Sequence, residues 1–234
     1  MNSTGWKKVD EGGVIYSIEY KADVAISRST IIKLSEDRYL VYSPGAAILE
    51  SALEIISKDS DLILLAPAKA HILGTVSWNN EFQKSAVVAS ETVIPRILNM
   101  TEIAEVKELS YLEEKLPRNV RIHALPACRL GEVWVSVDTD DKIYWIVCDS
   151  ITNSNVNASI VAKWFWEKIY RVGPGLEVTR GFRYFGISKK DVYREWAIGK
   201  FSNGRDNVLI PCHGDIYNES NFTQRIIDLI GKRF

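Results

Sequence analysis

The order of elements spelled out by the sequence is its strongest constraint, because that order runs twice. The chain opens on strands: "GVIYSIEY", then "STIIKLS" and "RYLVYSPG", an antiparallel pair joined through the polar turn "EDR". "AAILESALEIIS" follows, with Ile48, Ala52, Ile55 and Ile56 at helical spacing, and feeds the apolar strand "DLILLA". Strand and helix then alternate. Residues 72–82 carry Trp78 and Phe82 on one face of a predicted helix, and "SAVVAS" reads as another short strand. The Glu- and Lys-rich stretch from Thr101 to Arg118 has no periodicity that would place it.

The second half restarts with strands. "VRIHALP" precedes the hairpin "EVWVSV" / "KIYWIVCD", whose turn "DTDD" is the clearest hairpin signal in the chain. A helix is expected from Ala158 to Val172, with Asn157 as its N-cap and Gly173 and Pro174 as its stop. "SKKD" at 188 has the form of a capping box opening a helix through Trp196. After the turn "SNGRDN" come the strand "VLIP", the loop "CHGD" and an amphipathic helix with Phe222, Ile226, Leu229 and Ile230. No linker or charge block divides the halves. The expectation is one α/β domain over residues 1–234: an αββα sandwich of two mixed sheets packed face to face, helices outside.

Composition removes several alternatives. With 46% hydrophobic residues, 25% charged residues and a net charge of -1, the chain can bury a core but carries no global positive field to gather nucleic acid or an anionic membrane. Its longest apolar run, Leu62 to Ala68, is far short of the ~20 residues a spanning helix needs. The polar opening "MNSTGWKKVDEGG" has no signal-peptide core, so the expected compartment is the cytoplasm. The Asn-x-Ser/Thr matches at Asn2, Asn99, Asn157, Asn218 and Asn221 are then chance occurrences. Cys128, Cys148 and Cys212 are too few, and odd in number, for a disulfide framework, and are read as reduced thiols.

One loop stands apart. In "LILLAPAKAHILG" a buried strand runs into alanines at 66, 68 and 70 and then delivers His71, one of three histidines in the chain. With "PACRLGEVWVSV", "IVCDS" and "IPCHGD" further on, the succession of marks resembles the metallo-β-lactamase superfamily, in a divergent branch that has lost ligands. The family's first motif, His-x-His-x-Asp-His after a buried strand, falls on Ala66 to His71; its third histidine falls on Cys128, its bridging aspartate on Asp149 and its last histidine on His213. The resulting spacings of 57, 21 and 64 residues are ordinary for that family.

The resemblance turns function into a count of ligands. One ion of the family's pair would keep only Cys128 and a share of Asp149, too few to hold zinc. The other would lose an aspartate at Ala70 but keep His71, Asp149 and His213, two imidazoles and a carboxylate, a set able to bind zinc or iron(II). Two classes follow. One is a protein with a degenerate site, non-catalytic or binding a small-molecule ligand, with no metal. The other is a mononuclear metal-dependent hydrolase using His71, Asp149 and His213, in which Ala70 cannot supply the usual acid/base carboxylate. Under the same resemblance all three cysteines fall in or beside the ligand loops, so Cys128 is a weaker ligand candidate and a thiol–histidine pairing stays open.

Other motifs carry less. There is no Gly-x-Ser-x-Gly, and "EGG" and "VGPG" lack phosphate-loop spacing. "RGFRYFGISKK" sets four cations among three aromatics; its bland reading is a helix approach with the aromatics buried, and no nucleic-acid partner is expected. His123, in a predicted strand, reads as a core or edge residue. Asp138, Asp140 and Asp141 are explained by the hairpin turn rather than a calcium loop.

Overall fold

Asp10 sets the register of the first sheet: its carboxylate accepts the backbone N–H groups of Ile15 (2.6 Å) and Val14 (3.1 Å), closing the "EGG" turn. This is seen in a computed structural model of the protein, which describes residues 5–22, 26–154 and 175–234. The chain divides into two compact units, Met1–Val120 and Arg121–Phe234.

The first unit is built on a six-stranded mixed sheet of β1 (Lys7–Lys8), β2 (Ile15–Lys21), β3 (Ile26–Lys33), β4 (Arg38–Tyr42), β5 (Asp61–Ala66) and β6 (Ser85–Ala89), in that order. Strands β1 to β4 pair antiparallel, whereas β4, β5 and β6 are parallel, with Leu64 opposite both Val41 and Val87. The continuous apolar run of "DLILLA" fits this central place, and Leu62 to Ala66 are all buried. An Arg38–Asp61 ion pair at 2.7 Å ties the starts of β4 and β5.

The helix expected over 46–57 is only partly there. Ala46–Ile48 forms a 3₁₀ turn and α1 (Leu49–Ala52) one α-turn, after which Leu53, Glu54 and Ile55 donate three residues back. Ile48, Ala52 and Ile56 still face inward, so turns satisfy the same spacing a helix would. Helix α2 (Gly74–Glu81) presents Trp78, which stacks on Phe82 and donates its indole N–H to Gly45 O at 2.9 Å. Helix α3 (Ile94–Met100) has no counterpart in the sequence reading; Pro95 stands in its first turn, where no N–H is needed. In the stretch from Thr101 to Arg118, Lys107 pairs with β6 through backbone bonds to Val87 and Ala89, and Leu109–Leu112 makes a 3₁₀ turn.

In the second unit the sheet order is β12 (Asp206–Pro211), β9 (Lys142–Val147), β8 (Val133–Asp138), β7 (Val120–Ala124). The hairpin β8–β9 is antiparallel, with Asp138 opposite Ile143; β12 runs parallel to β9, with Pro211 opposite Val147. Arg205 holds the "DTDD" turn, pairing with Asp138 and donating to Thr139 O and Asp140 O. A two-stranded ribbon joins β10 (Thr152–Ser154) to β11 (Gly175–Glu177).

Helices α4 (Lys190–Phe201) and α5 (Phe222–Arg233) complete this unit. Its core centres on Trp134, ringed by Trp196 (5.0 Å), Phe201 (5.6 Å), Trp145 and Tyr193 (both 6.3 Å between centroids). Phe222, Ile226 and Ile230 of α5 are buried at the predicted spacing, beside the half-buried Leu229. Two expectations are corrected. Ser188 does not cap α4: its N–H and hydroxyl both bind Ala127 O, Lys189 occupies the cap without a side-chain bond, and the helix runs to Phe201 rather than Trp196. Of the three aromatics in "RGFRYFGISKK" only Phe182 is buried, because residues 182–186 form a π-helical turn that leaves Tyr184 and Phe185 exposed. The helix expected over 158–172 lies outside the described residues.

Candidate functional site

The carboxyl ends of parallel strands are where α/β sheets place their ligands, and β9 and β12 end side by side. Continuing their register beyond Val147 and Pro211 sets Cys148 beside Cys212 and Asp149 beside His213. Cys212 N–H donates to Val147 O at 2.9 Å, and the two buried thiols are hydrogen-bonded to each other. One residue on, His213 Nε2 lies 3.3 Å from Asp149 Oδ1, both side chains about one-quarter exposed. The chain turns directly after His213 at Gly214, whose φ of 95° suits glycine. Asn153 clamps that turn: its N–H binds His213 O, its side-chain amide binds Asp215 O, and its own carbonyl takes Asp215 N–H.

Beneath this pair sits a residue the sequence reading passed over. Glu132 is fully buried, and its Oε1 accepts from Trp134 Nε1 (3.0 Å), the Cys148 backbone N–H (3.0 Å) and the Ser150 hydroxyl (2.5 Å). It thereby grips the residues on either side of Asp149. Glu132 Oε2 is buried with no hydrogen-bond partner. Burial, then the charge of Asp149, pushes the Glu132 carboxyl up to about 8, so it carries a proton at neutral pH. Burial is also the main reason the Cys148 thiol and the Tyr193 phenol lie well above their ordinary ranges.

In the first unit, β5 delivers the alanine loop. Ala66 and Ala68 have no exposed surface, and Ala66 belongs to the core cluster with Leu64 and Ala89. At two of the three positions where the family resemblance expects lost donors, packing has taken the space. Ala70 is exposed. His71 is half-buried, and its Nδ1 shares a hydrogen bond of 2.8 Å with the Ser43 hydroxyl. Ser43, at the carboxyl end of β4, is buried with φ 55°, a left-handed conformation uncommon for serine. It is held there by its N–H to Leu65 O and by the Ser29 hydroxyl on its own carbonyl. Gly74 closes the loop, because a Cβ there would come within 2.0 Å of Pro44 O.

Cys128 follows Ala127, another non-glycine residue with φ 55°. Burial, then the charge of Glu132, raises its thiol to about 11, against the faint pull of the N–H groups of Glu132, Leu130 and Gly131; it is no thiolate at neutral pH. His123 bonds Ser136 Oγ at 2.8 Å and packs on Trp145. Within the second unit, therefore, Asp149 and His213 come together and Cys148 joins Cys212, while Cys128 sits in the turn before β8. No sequence pattern marked Glu132 or Ser43: a glutamate at a strand start and a serine in "YSPG" read as surface and turn.

No family model matches the sequence, and no curated protein matches it. Solved structures do match. DIM-1 metallo-beta-lactamase aligns over 100% of this chain and 100% of its own, with a TM-score of 0.62 at 13% identity. FIM-1 metallo-beta-lactamase from Pseudomonas aeruginosa, in its mono-zinc form, covers 99% of this chain and 96% of its own, with a TM-score of 0.59 at 10% identity. A metal-soaked Flv1 flavodiiron core from Synechocystis sp. PCC6803 covers 98% of this chain and 60% of its own, with a TM-score of 0.60 at 9% identity. Identities this low speak for architecture alone, and the architecture, two mixed sheets with helices, is the metallo-β-lactamase fold.

Proposed function

We propose that this is a metallo-β-lactamase-fold protein with a degenerate centre: His71, Asp149 and His213 hold at most one zinc or iron ion, and the centre binds a small-molecule ligand without efficient hydrolysis. The Asp149–His213 pair carries the reading, since a carboxylate and an imidazole 3.3 Å apart at the ends of parallel strands are two hard-to-borderline donors. The donor chemistry fits one ion and not two. Ala66 and Ala68 offer no ligand atoms and no room for any, which leaves a second ion short of donors.

A bound ion of this kind would polarise a ligand oxygen and acidify a coordinated water. The chain's own residues do the rest. Glu132 fixes the backbone around Asp149, Asn153 fixes the turn after His213, and Ser43 orients the His71 ring through Nδ1, which leaves Nε2 as its ligating atom. Ala70 provides no carboxylate to take a proton from an attacking water, which argues against rapid turnover. The alternative, a mononuclear hydrolase, is favoured by one observation. The strained Ser43 that orients His71 is the kind of outer contact that tunes a working ligand.

The test is metal content together with turnover. Protein purified without a metal-binding tag is analysed for zinc, iron and manganese per chain, alongside His71→Ala and His213→Ala, and assayed on activated esters and phosphoesters. Close to one ion per chain, lost in both variants and accompanied by no turnover, is the expected result. Turnover that tracks the ion establishes the hydrolase instead. No ion after soaking in zinc removes the metal from the proposal.

A further inference from the structure

A cavity lies in the Arg121–Phe234 unit, lined by neither Asp149 nor His213. It opens between the sheet and the carboxyl end of α4, with a volume of about 150 Å³, and its lining includes Arg121, His123, Ser136, Trp145, Gly199 and Lys200. Ile143 and Trp145, which also line it, precede Asp149 on the same run of chain by six and four residues. At ~3.3 Å per residue an extended chain separates their backbone from that of Asp149 by up to about 13–20 Å.

Charge decides what it suits. Neither Arg121 nor Lys200 has an acidic partner among the described residues; the Lys200 ammonium rests over the Trp196 ring, 5.6 Å from its centroid. Asp138, the acid on the cavity wall, is already paired with Arg205. The negative end of α4 is blunted, since Asn203 Nδ2 donates to Lys200 O and the Ser202 N–H and hydroxyl donate to Ile198 O. Two whole positive charges outweigh a helix terminus worth roughly half of one. Size narrows the choice, because drug-sized ligands need roughly 300–1,000 Å³.

Gly199 lines the same cavity. Glycine inside a helix costs about 1 kcal/mol relative to alanine, and here a Cβ would meet no atom within 4 Å. A larger side chain at this lining position therefore has open space to enter.

We propose that this cavity binds one small tetrahedral oxyanion of the phosphate class, gripped by Arg121 and Lys200 beside the Ser136 hydroxyl. The binding is independent of the metal centre. His123 reports on it: burial first, then Lys200 and Arg121, lower its imidazole to about 4. An anion that offsets those two cations raises it, with Asp138 and Arg205 already neutralising each other.

The experiment is a titration of the full-length protein with inorganic phosphate, following the His123 ring resonances by NMR and heat by calorimetry, with sodium acetate and sodium chloride at matched ionic strength. Saturable one-to-one binding, an upward shift of the His123 titration, and weakening by about tenfold or more in Arg121→Ala and Lys200→Ala are expected. Gly199→Leu, which fills the mouth on a helix-favouring residue, abolishes binding without lowering the melting temperature. Absence of saturation, equal binding in Gly199→Leu, or an equal response to chloride overturns the proposal.

Discussion

The Ser43 hydroxyl shares a 2.8 Å hydrogen bond with His71 Nδ1 while the Ser43 backbone sits at φ 55°. The two facts pull in opposite directions on substitution. Ser43→Ala loses the bond and keeps the strain, for an expected loss of about 1–2 kcal/mol; Ser43→Gly loses the same bond but relieves roughly 1 kcal/mol of strain. Chemical denaturation should therefore rank wild type above Ser43→Gly and Ser43→Gly above Ser43→Ala. If His71 ligates an ion, both variants weaken zinc binding by about 10-fold or more, since the ring loses its orienting partner.

Glu132 offers a sharper contrast. Glu132→Ala abandons three buried donors, on Trp134, Cys148 and Ser150, and should cost about 3–5 kcal/mol. Glu132→Gln keeps an oxygen for them. In the folded protein this carboxyl titrates at about 8 instead of its ordinary 4.5, so between those values the fold holds a proton that the unfolded chain has released. Its contribution is complete below about pH 4.5 and is lost as pH rises towards 8, on the order of a few kcal/mol. Urea midpoints across this range should fall more steeply for wild type than for Glu132→Gln, and the two curves should not run parallel.

His123 works with the opposite slope. Its folded value of about 4 lies below the ordinary 6.5, so the unfolded chain gains a proton first as pH falls. The stability is intact above 6.5 and is lost as pH drops towards 4, by up to about 3 kcal/mol. His123→Gln should flatten this acid limb, measured as the difference in unfolding free energy between about pH 5 and pH 7.

The alanine loop predicts a split among three like residues. Ala66→His and Ala68→His insert a ring into fully buried positions and should cost at least about 1–3 kcal/mol, whereas Ala70→Asp, on an exposed position, should lie within about 0.5 kcal/mol of wild type. Melting temperatures separate the cases. If the proposed centre exists, Ala70→Asp alone should tighten zinc binding without loss of fold.

Strands were the legible part of this sequence because their signals are local. The apolar run of "DLILLA" and the "DTDD" hairpin mark β5, β8 and β9, with Thr139 closing the turn by bonding Lys142 at both its N–H and its carbonyl. Helices were less so. The spacing of Ile48, Ala52 and Ile56 is met equally by tight turns, Pro95 reads as a breaker where it stands inside a first turn, and the hydroxyl of Ser188 is claimed by Ala127, a carbonyl 61 residues away. The Asp149–His213 pairing was legible only through the order of motifs. Glu132 was not legible at all, since nothing local distinguishes a buried acid from a solvated one at a strand start; its role depends on Cys148 and Ser150, which reach it only once the hairpin has formed.

The ring of aromatic side chains around Trp134 has an optical consequence. Indoles held 5.0 Å and 6.3 Å apart couple their excited states, so the Arg121–Phe234 unit should carry an intense near-ultraviolet dichroism that disappears when those rings separate. Trp78, stacked on Phe82 in the other unit, contributes no such couplet. Light absorption can thus follow the melting of one half of the polypeptide while the other is watched by a different probe.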